Sequence, residues 1–140
     1  LKPLKILIVE DSDAHLQIIK YVLKRNKINA DYSFARDGQE ALDFLYQHNS
    51  ITSPANQLTP DLILLDLNLP KRDGREVLKI IKDDSKLKEI PVVIVSTSDR
   101  EEDLNYAFST GAIAYISKSV GFENFSSQMS QITNYARTLK

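Results

Sequence analysis

Three short runs in this chain, Lys5-Ile6-Leu7-Ile8-Val9, Leu62-Ile63-Leu64-Leu65 and Val92-Val93-Ile94-Val95, are apolar almost without a break and rich in branched residues. A strand with one wet face alternates apolar and polar side chains, whereas an unbroken apolar run needs cover on both faces. A parallel sheet with helices on either side supplies that cover, so these runs predict the strands of such a sheet. Ala114-Tyr115-Ile116-Ser117 makes a fourth run, and a weaker stretch from Asp31 to Ala35 supplies a fifth.

Between the runs the apolar period changes to that of a helix. Leu16, Ile19, Val22 and Leu23 form one stripe, Ala41, Leu42 and Leu45 a second, and Val77, Leu78 and Ile81 a third. Leu104, Ala107 and Phe108 make a fourth, and Phe125, Met129, Ile132, Ala136 and Leu139 a fifth. Asp13 is the expected cap of the first helix, and Pro60 and Pro91 keep helices out of the strands that follow. Five strands alternating with five helices predict a doubly wound α/β sandwich. Right-handed crossovers leave few arrangements. The commonest for this count is the flavodoxin-like (βα)5 fold, a five-stranded parallel sheet in the order 2-1-3-4-5. The segment from His48 to Pro60 is long for a connection in it. A length of 140 residues suits one domain, 1–140, and the last stripe runs to the chain end, so no output domain is expected.

Composition closes off several functions. The absence of cysteine excludes a disulfide scaffold, a thiolate zinc site and cysteine catalysis. A net charge of −1 advertises no nucleic acid partner, and no apolar run approaches the ~20 residues that cross a bilayer. A cytoplasmic location is expected.

In open parallel sheets, ligands bind beyond the carboxyl ends of the strands. Glu10 and Asp11 follow the first run, Asp66 the third strand, Ser96 the fourth, and Ser117 and Lys118 the fifth. Any one of these is simply the polar end of a strand. The set is harder to dismiss, because chance does not predict acids on strands one and three with a lone lysine on strand five. Clustered carboxylates repel unless something neutralises them. Mg²⁺ fits, with Mn²⁺ as a substitute, since it takes hard oxygens and leaves room for phosphate. His15 and His48 are expected in or beside helices away from this edge, as surface residues, which disfavours zinc. Carboxylate, metal, lysine and hydroxyl together form a kit for phosphoryl transfer. Asp66, ending a central strand, is the best nucleophile, while Glu10 and Asp11 better suit the metal.

These residues resemble the receiver domains of two-component response regulators over about Leu4 to Leu139. The motifs are Glu10-Asp11 after Ile-Leu-Ile-Val, then Asp66-Leu67-Asn68-Leu69-Pro70 followed by Asp73-Gly74. Next come Ser96-Thr97 after Pro91-Val92-Val93-Ile94-Val95, and finally Tyr115-Ile116-Ser117-Lys118. The spacings, 30 residues from Asp66 to Ser96 and 22 from Ser96 to Lys118, are also similar to the family's.

The resemblance implies Asp66 as phosphoacceptor, with Glu10, Asp11, Asp66 and the Asn68 backbone carbonyl at Mg²⁺. It implies that Ser96 and Lys118 contact the phosphoryl group, and that Ser96 and Tyr115 form the switch. Asn68 and Ser98 match positions that tune dephosphorylation, and neither is a general base, so slow to moderate hydrolysis is expected. The family's lysine is usually followed by proline through a cis bond. Here Ser119 follows Lys118, where cis would cost about 2.5–4 kcal/mol, leaving a trans bond or a strained cis one.

A narrower resemblance, carried by the long loop and by Asp66 to Leu78, is to single-domain regulators that partner bacterial phytochromes. It implies a phytochrome-type sensor histidine kinase as donor and a homodimer through the strand-four to helix-five face. The message would leave by contact with a downstream protein or by phosphorelay to a histidine phosphotransfer protein. In this picture the chain is no enzyme beyond its own phosphorylation and dephosphorylation.

Three rivals remain to be weighed. A phosphatase of the haloacid dehalogenase class wants a second aspartate where Asn68 stands, and a cap domain for which there is no room. A nucleotide or flavin module needs clustered glycines, and Gly38, Gly74, Gly111 and Gly121 are scattered. A binding module that keeps the fold without phosphorylation is the serious alternative, opposed by the complete set of acids, hydroxyl and lysine.

Overall fold

Leu62, Ile63, Leu64 and Leu65 are each at most 1% exposed, so this central strand is covered on both faces, as its unbroken apolar sequence requires. Each such side chain contributes roughly 1.5–3 kcal/mol on burial. The computed structural model describes residues 2–48 and 59–139. Its elements are β1 (Leu4–Val9), α1 (Asp13–Arg25), β2 (Ala30–Ala35), α2 (Gly38–His48), β3 (Leu62–Leu65), α3 (Gly74–Asp83), β4 (Val92–Ser96), α4 (Glu101–Thr110), β5 (Ala114–Ser117) and α5 (Phe122–Thr138). The strands form one parallel sheet in the order β2-β1-β3-β4-β5, which is the expected flavodoxin-like arrangement. The long connection expected between His48 and Pro60 falls mostly on residues 49–58, outside the described residues.

Alternate residues of each strand feed two cores. Leu7, Val9, Ile63, Leu65 and Ile94 pack with Ala41 and Leu45 of α2, Val77, Leu78 and Ile81 of α3, and Ala107 of α4. Ile6, Ile8, Leu64, Val93, Val95 and Ile116 pack on the other face with Leu16, Ile19 and Leu23 of α1 and Phe125 and Met129 of α5. Val9 lies level with Leu65, Leu65 with Ile94, and Ser96 with Ser117. The strands therefore end together, and the residues that follow them meet along one edge.

The structure corrects three local expectations. Ser12 caps α1, its extended backbone letting Oγ accept the His15 N–H at 3.2 Å. Asp13 is instead the first helical residue and pairs with Arg36. On α4 the inward stripe runs through Asp103 and Ala107, while Phe108 is exposed, because Asp103 finds polar partners inside. On α5, Leu139 lies beyond the last turn and is exposed, and Ser126 and Thr133 are buried between the apolar positions. The Thr133 hydroxyl is satisfied there by the Met129 carbonyl at 2.9 Å. No cis peptide occurs among the described residues, so the Lys118–Ser119 bond is trans.

Candidate functional site

Asp66 leaves β3 into a loop whose exit is set by a glycine. A Cβ on Gly74 would lie 2.1 Å from the Asp66 carbonyl oxygen and 2.6 Å from Leu67 Cα, so only glycine lets α3 start this close. Asp73 caps α3 by accepting the Arg75 N–H at 2.9 Å, and the Gly74 N–H donates to the Leu67 carbonyl at 2.9 Å. The phosphoacceptor candidate is thus held from both sides. Its Oδ1 accepts the Asn68 N–H at 3.2 Å, and Asn68 itself is exposed.

The structure brings the predicted acids and lysine together. Glu10, Asp66 and Ser96 are buried, and the Lys118 side chain is 9% exposed. Lys118 Nζ pairs with Glu10 and donates to Asp66 Oδ2 at 3.0 Å. One carboxylate oxygen each from Glu10, Asp11 and Asp66 lie within 4.8 Å of one another, with Asp11 exposed at the mouth. Burial pushes the Glu10 carboxyl up to about 6, against the pull of Lys118 and with the help of the Asp66 charge. Three carboxylates share one ammonium, which leaves negative charge and hard oxygen donors facing solvent. That donor set fits a divalent metal of the Mg²⁺ or Mn²⁺ type.

His15 corrects another expectation. It lies at the site rather than away from the edge, its Nδ1 3.0 Å from Lys118 Nζ and 3.8 Å from Glu10 Oε2. Only Asp11 and Ser12 separate Glu10 from α1, so the first turn of α1 has to stand beside the strand ends. The side chain of His48 lies outside the described residues.

Ser96 and Tyr115 are linked through Ser98. Ser96 Oγ accepts the Ser98 N–H at 3.1 Å, and the Tyr115 hydroxyl, half-buried, donates to the Ser98 carbonyl at 2.7 Å. Ser98 donates its own hydroxyl to Asp103 Oδ2 at 2.6 Å. Asp103 and its partner Arg75 were not among the residues singled out from sequence. Both sit in the first turn of a helix that follows a strand-end loop, which is where such residues reach the site.

The response regulator receiver domain family matches residues 6–130 of the chain. The chain belongs to this family. Relatives agree with the match: the response regulator Rcp1 of Synechocystis sp. is 44% identical over 117 residues, covering 84% of this chain and 78% of Rcp1. The structure of the phosphorylated cyanobacterial phytochrome response regulator RcpA superposes with a TM-score of 0.83 at 38% identity, covering 99% of this chain and 96% of RcpA. The Mn²⁺-bound form of Rcp1 gives 0.80 at 40% identity, covering 95% and 94% of the two chains. This receiver domain is therefore a phosphoacceptor module of two-component signalling, a family whose members take a histidine kinase as partner and bind a divalent metal, and its acidic cluster offers oxygen donors of the kind such a metal takes. Among the described residues no helix is long and apolar enough to cross a membrane.

Proposed function

We propose that this receiver domain accepts a phosphoryl group on Asp66 from a phosphohistidine of a phytochrome-type sensor histidine kinase. The observation that carries the proposal is the buried Asp66 carboxylate, held by the Asn68 N–H and Lys118 at the one edge where Glu10 and Asp11 add further oxygens. In the transfer an Asp66 oxygen forms the new bond to phosphorus, the phosphorus–nitrogen bond breaks, and the electron pair returns to the donor imidazole. Lys118 follows the developing charge from carboxylate to phosphoryl oxygen, and the Ser96 hydroxyl donates to another. Glu10, Asp11, Asp66 and the Asn68 carbonyl would hold Mg²⁺, or Mn²⁺ in its place, and the bound ion would supply neutralisation of phosphoryl charge.

Asn68 and Ser98 offer no general base near Asp66, so the acyl phosphate hydrolyses slowly to moderately. The likeness to RcpA, whose name makes it a phytochrome response regulator, supports the phytochrome-type donor. The domain works in the cytoplasm, with no enzymatic activity beyond its own phosphorylation and dephosphorylation. Its output is contact with a downstream protein or relay to a histidine phosphotransfer protein. A homodimer through the β4 to α5 face is supported by exposed Ile113 and Tyr135 beside the edge strand β5.

Intact mass after incubation with acetyl phosphate tests the proposal. The protein is expected to gain one phosphoryl mass only when Mg²⁺ is present, and Asp66→Asn to gain none. A folded protein that takes up no phosphoryl group would instead favour a binding module that signals without phosphorylation.

A further inference from the structure

Lys118 ends in an ammonium, which offers three protons and accepts nothing. Three acceptors stand around it. Nζ pairs with Glu10, donates to Asp66 Oδ2 at 3.0 Å, and lies 3.0 Å from His15 Nδ1. Because an ammonium only donates, this contact makes Nδ1 the acceptor and puts the ring proton on Nε2. A charged ring paired with Glu10 fits less well: that separation is 3.8 Å, and two cations would then face each other. The three partners come from the end of β1, the end of β3 and the first turn of α1. Together they leave one place for Nζ.

The backbone alone does not fix that end of the side chain. The Lys118 N–H donates to the Ser96 carbonyl at 2.8 Å, and Ser119 Oγ donates to the Thr97 carbonyl at 3.2 Å. Beyond this anchor runs a flexible four-carbon stem. Beside the stem lies a cavity of about 230 Å³, lined by His15, Ile19, Thr97, Lys118, Phe122 and Phe125. It has room for an ammonium that has turned aside and for water to meet it. His15 is itself held in a closed circuit of contacts. Glu10 Oε2 accepts the Ser12 N–H at 3.2 Å, and Ser12 Oγ accepts the His15 N–H at 3.2 Å. The His15 ring reaches Lys118, and Lys118 returns to Glu10. The start of α1 thus sets where Nζ stands.

We propose that His15 is a positioning residue for phosphoryl uptake, its neutral imidazole taking the third proton of Lys118 and holding Nζ beside Asp66. The proposal rests on Asp66 being the phosphoacceptor, and it adds a residue to the acids, hydroxyl and lysine of the site. Lys118 has to meet charge that appears on a phosphoryl oxygen, and a group already in place does so without reorganising. Glu10 competes for the same ammonium. With the two carboxylates as its only partners, Nζ has one proton left for water in the cavity and spends time away from Asp66. His15 removes that freedom without adding a charge.

The test follows the full chain as it takes up phosphoryl from phosphoramidate, a small donor with a phosphorus–nitrogen bond, at saturating Mg²⁺. Intact mass against time gives the maximum rate and the half-saturating donor concentration. His15→Leu removes the acceptor, with His15→Ala in its place should the leucine variant fail to fold. His15→Asn returns an acceptor near the position of Nδ1. The variant without an acceptor is expected to lose about threefold to tenfold in maximum rate, the worth of one hydrogen bond, at an unchanged half-saturating concentration. His15→Asn is expected to stay within about twofold of wild type. Leucine and alanine are better helix formers than asparagine, so a merely structural role would rank the variants the other way. A wild-type rate without the acceptor, or no recovery in His15→Asn, would overturn the proposal. The Lys118 Nζ resonance is recorded by nitrogen NMR on the unmodified proteins. Should wild type gain no phosphoryl mass, the phosphoacceptor assignment fails and this resonance decides the positioning. A shift in His15→Leu that His15→Asn reverses supports it, and an unmoved resonance overturns it.

Discussion

Lys118 is one cation set between Glu10 and Asp66, and the balance at the site depends on it. Lys118→Ala leaves two buried carboxylates without their partner and is expected to cost about 1–3 kcal/mol in metal-free buffer. Added Mg²⁺ should recover more stability in the variant than in wild type, measured by thermal melts. Equal recovery in both would contradict this balance. Asp103 gives a pH signature. Its folded-state value lies below the ordinary 3.8, so its contribution is present above that value and is lost as pH falls. The stability gap between wild type and Asp103→Asn, measured in urea, should be open at neutral pH and close below about pH 4. Residues at strand ends, from Glu10 to Lys118, were legible in sequence because a strand's end is marked by the end of its apolar run. His15, Arg75 and Asp103 were not, because a polar residue in a first helical turn reads as solvent-facing until the loop before it is known to be short.

At the scale of elements, β1, β3 and β4 were the clearest part of the sequence, since burial on both faces leaves few polar residues to blur them, while the edge strand β2, with Asp31 and Ser33 and little burial, read weakly. Helices with dense apolar stripes, α1 and α3, followed their period. The weakly apolar α4 did not, and its inward face turned by one residue because Arg75 and Ser98 make a buried Asp103 tolerable. Helix ends were read less well for the same reason: Ser12 and Asp13 are both good caps, and only backbone geometry chooses between them. The contact of α3 with the Asp66 loop is the element-level feature the site depends on most. Gly74→Ala forces a Cβ against the Asp66 carbonyl and is expected to cost about 1–3 kcal/mol, with slower phosphoryl uptake. A variant with wild-type stability and uptake would show that the loop yields freely.

For the whole molecule, the order β2-β1-β3-β4-β5 places β3 at the centre and β5 at an edge. The acids of β1 and β3 and the lysine of β5 then meet across the β4 end, while β5 and α5 stay available to a partner. Self-association through that face predicts that Tyr135→Glu lowers the dimer fraction in sedimentation, and an unchanged fraction would place any dimer elsewhere. The claim on which all else depends is that phosphorylation occurs at Asp66. Borohydride reduction of the phosphorylated protein converts an aspartyl phosphate to homoserine, and peptide mass spectrometry then locates it. Homoserine at position 66 alone is the expected result. Homoserine at Asp11 or another aspartate, with Asp66 intact, would contradict the account.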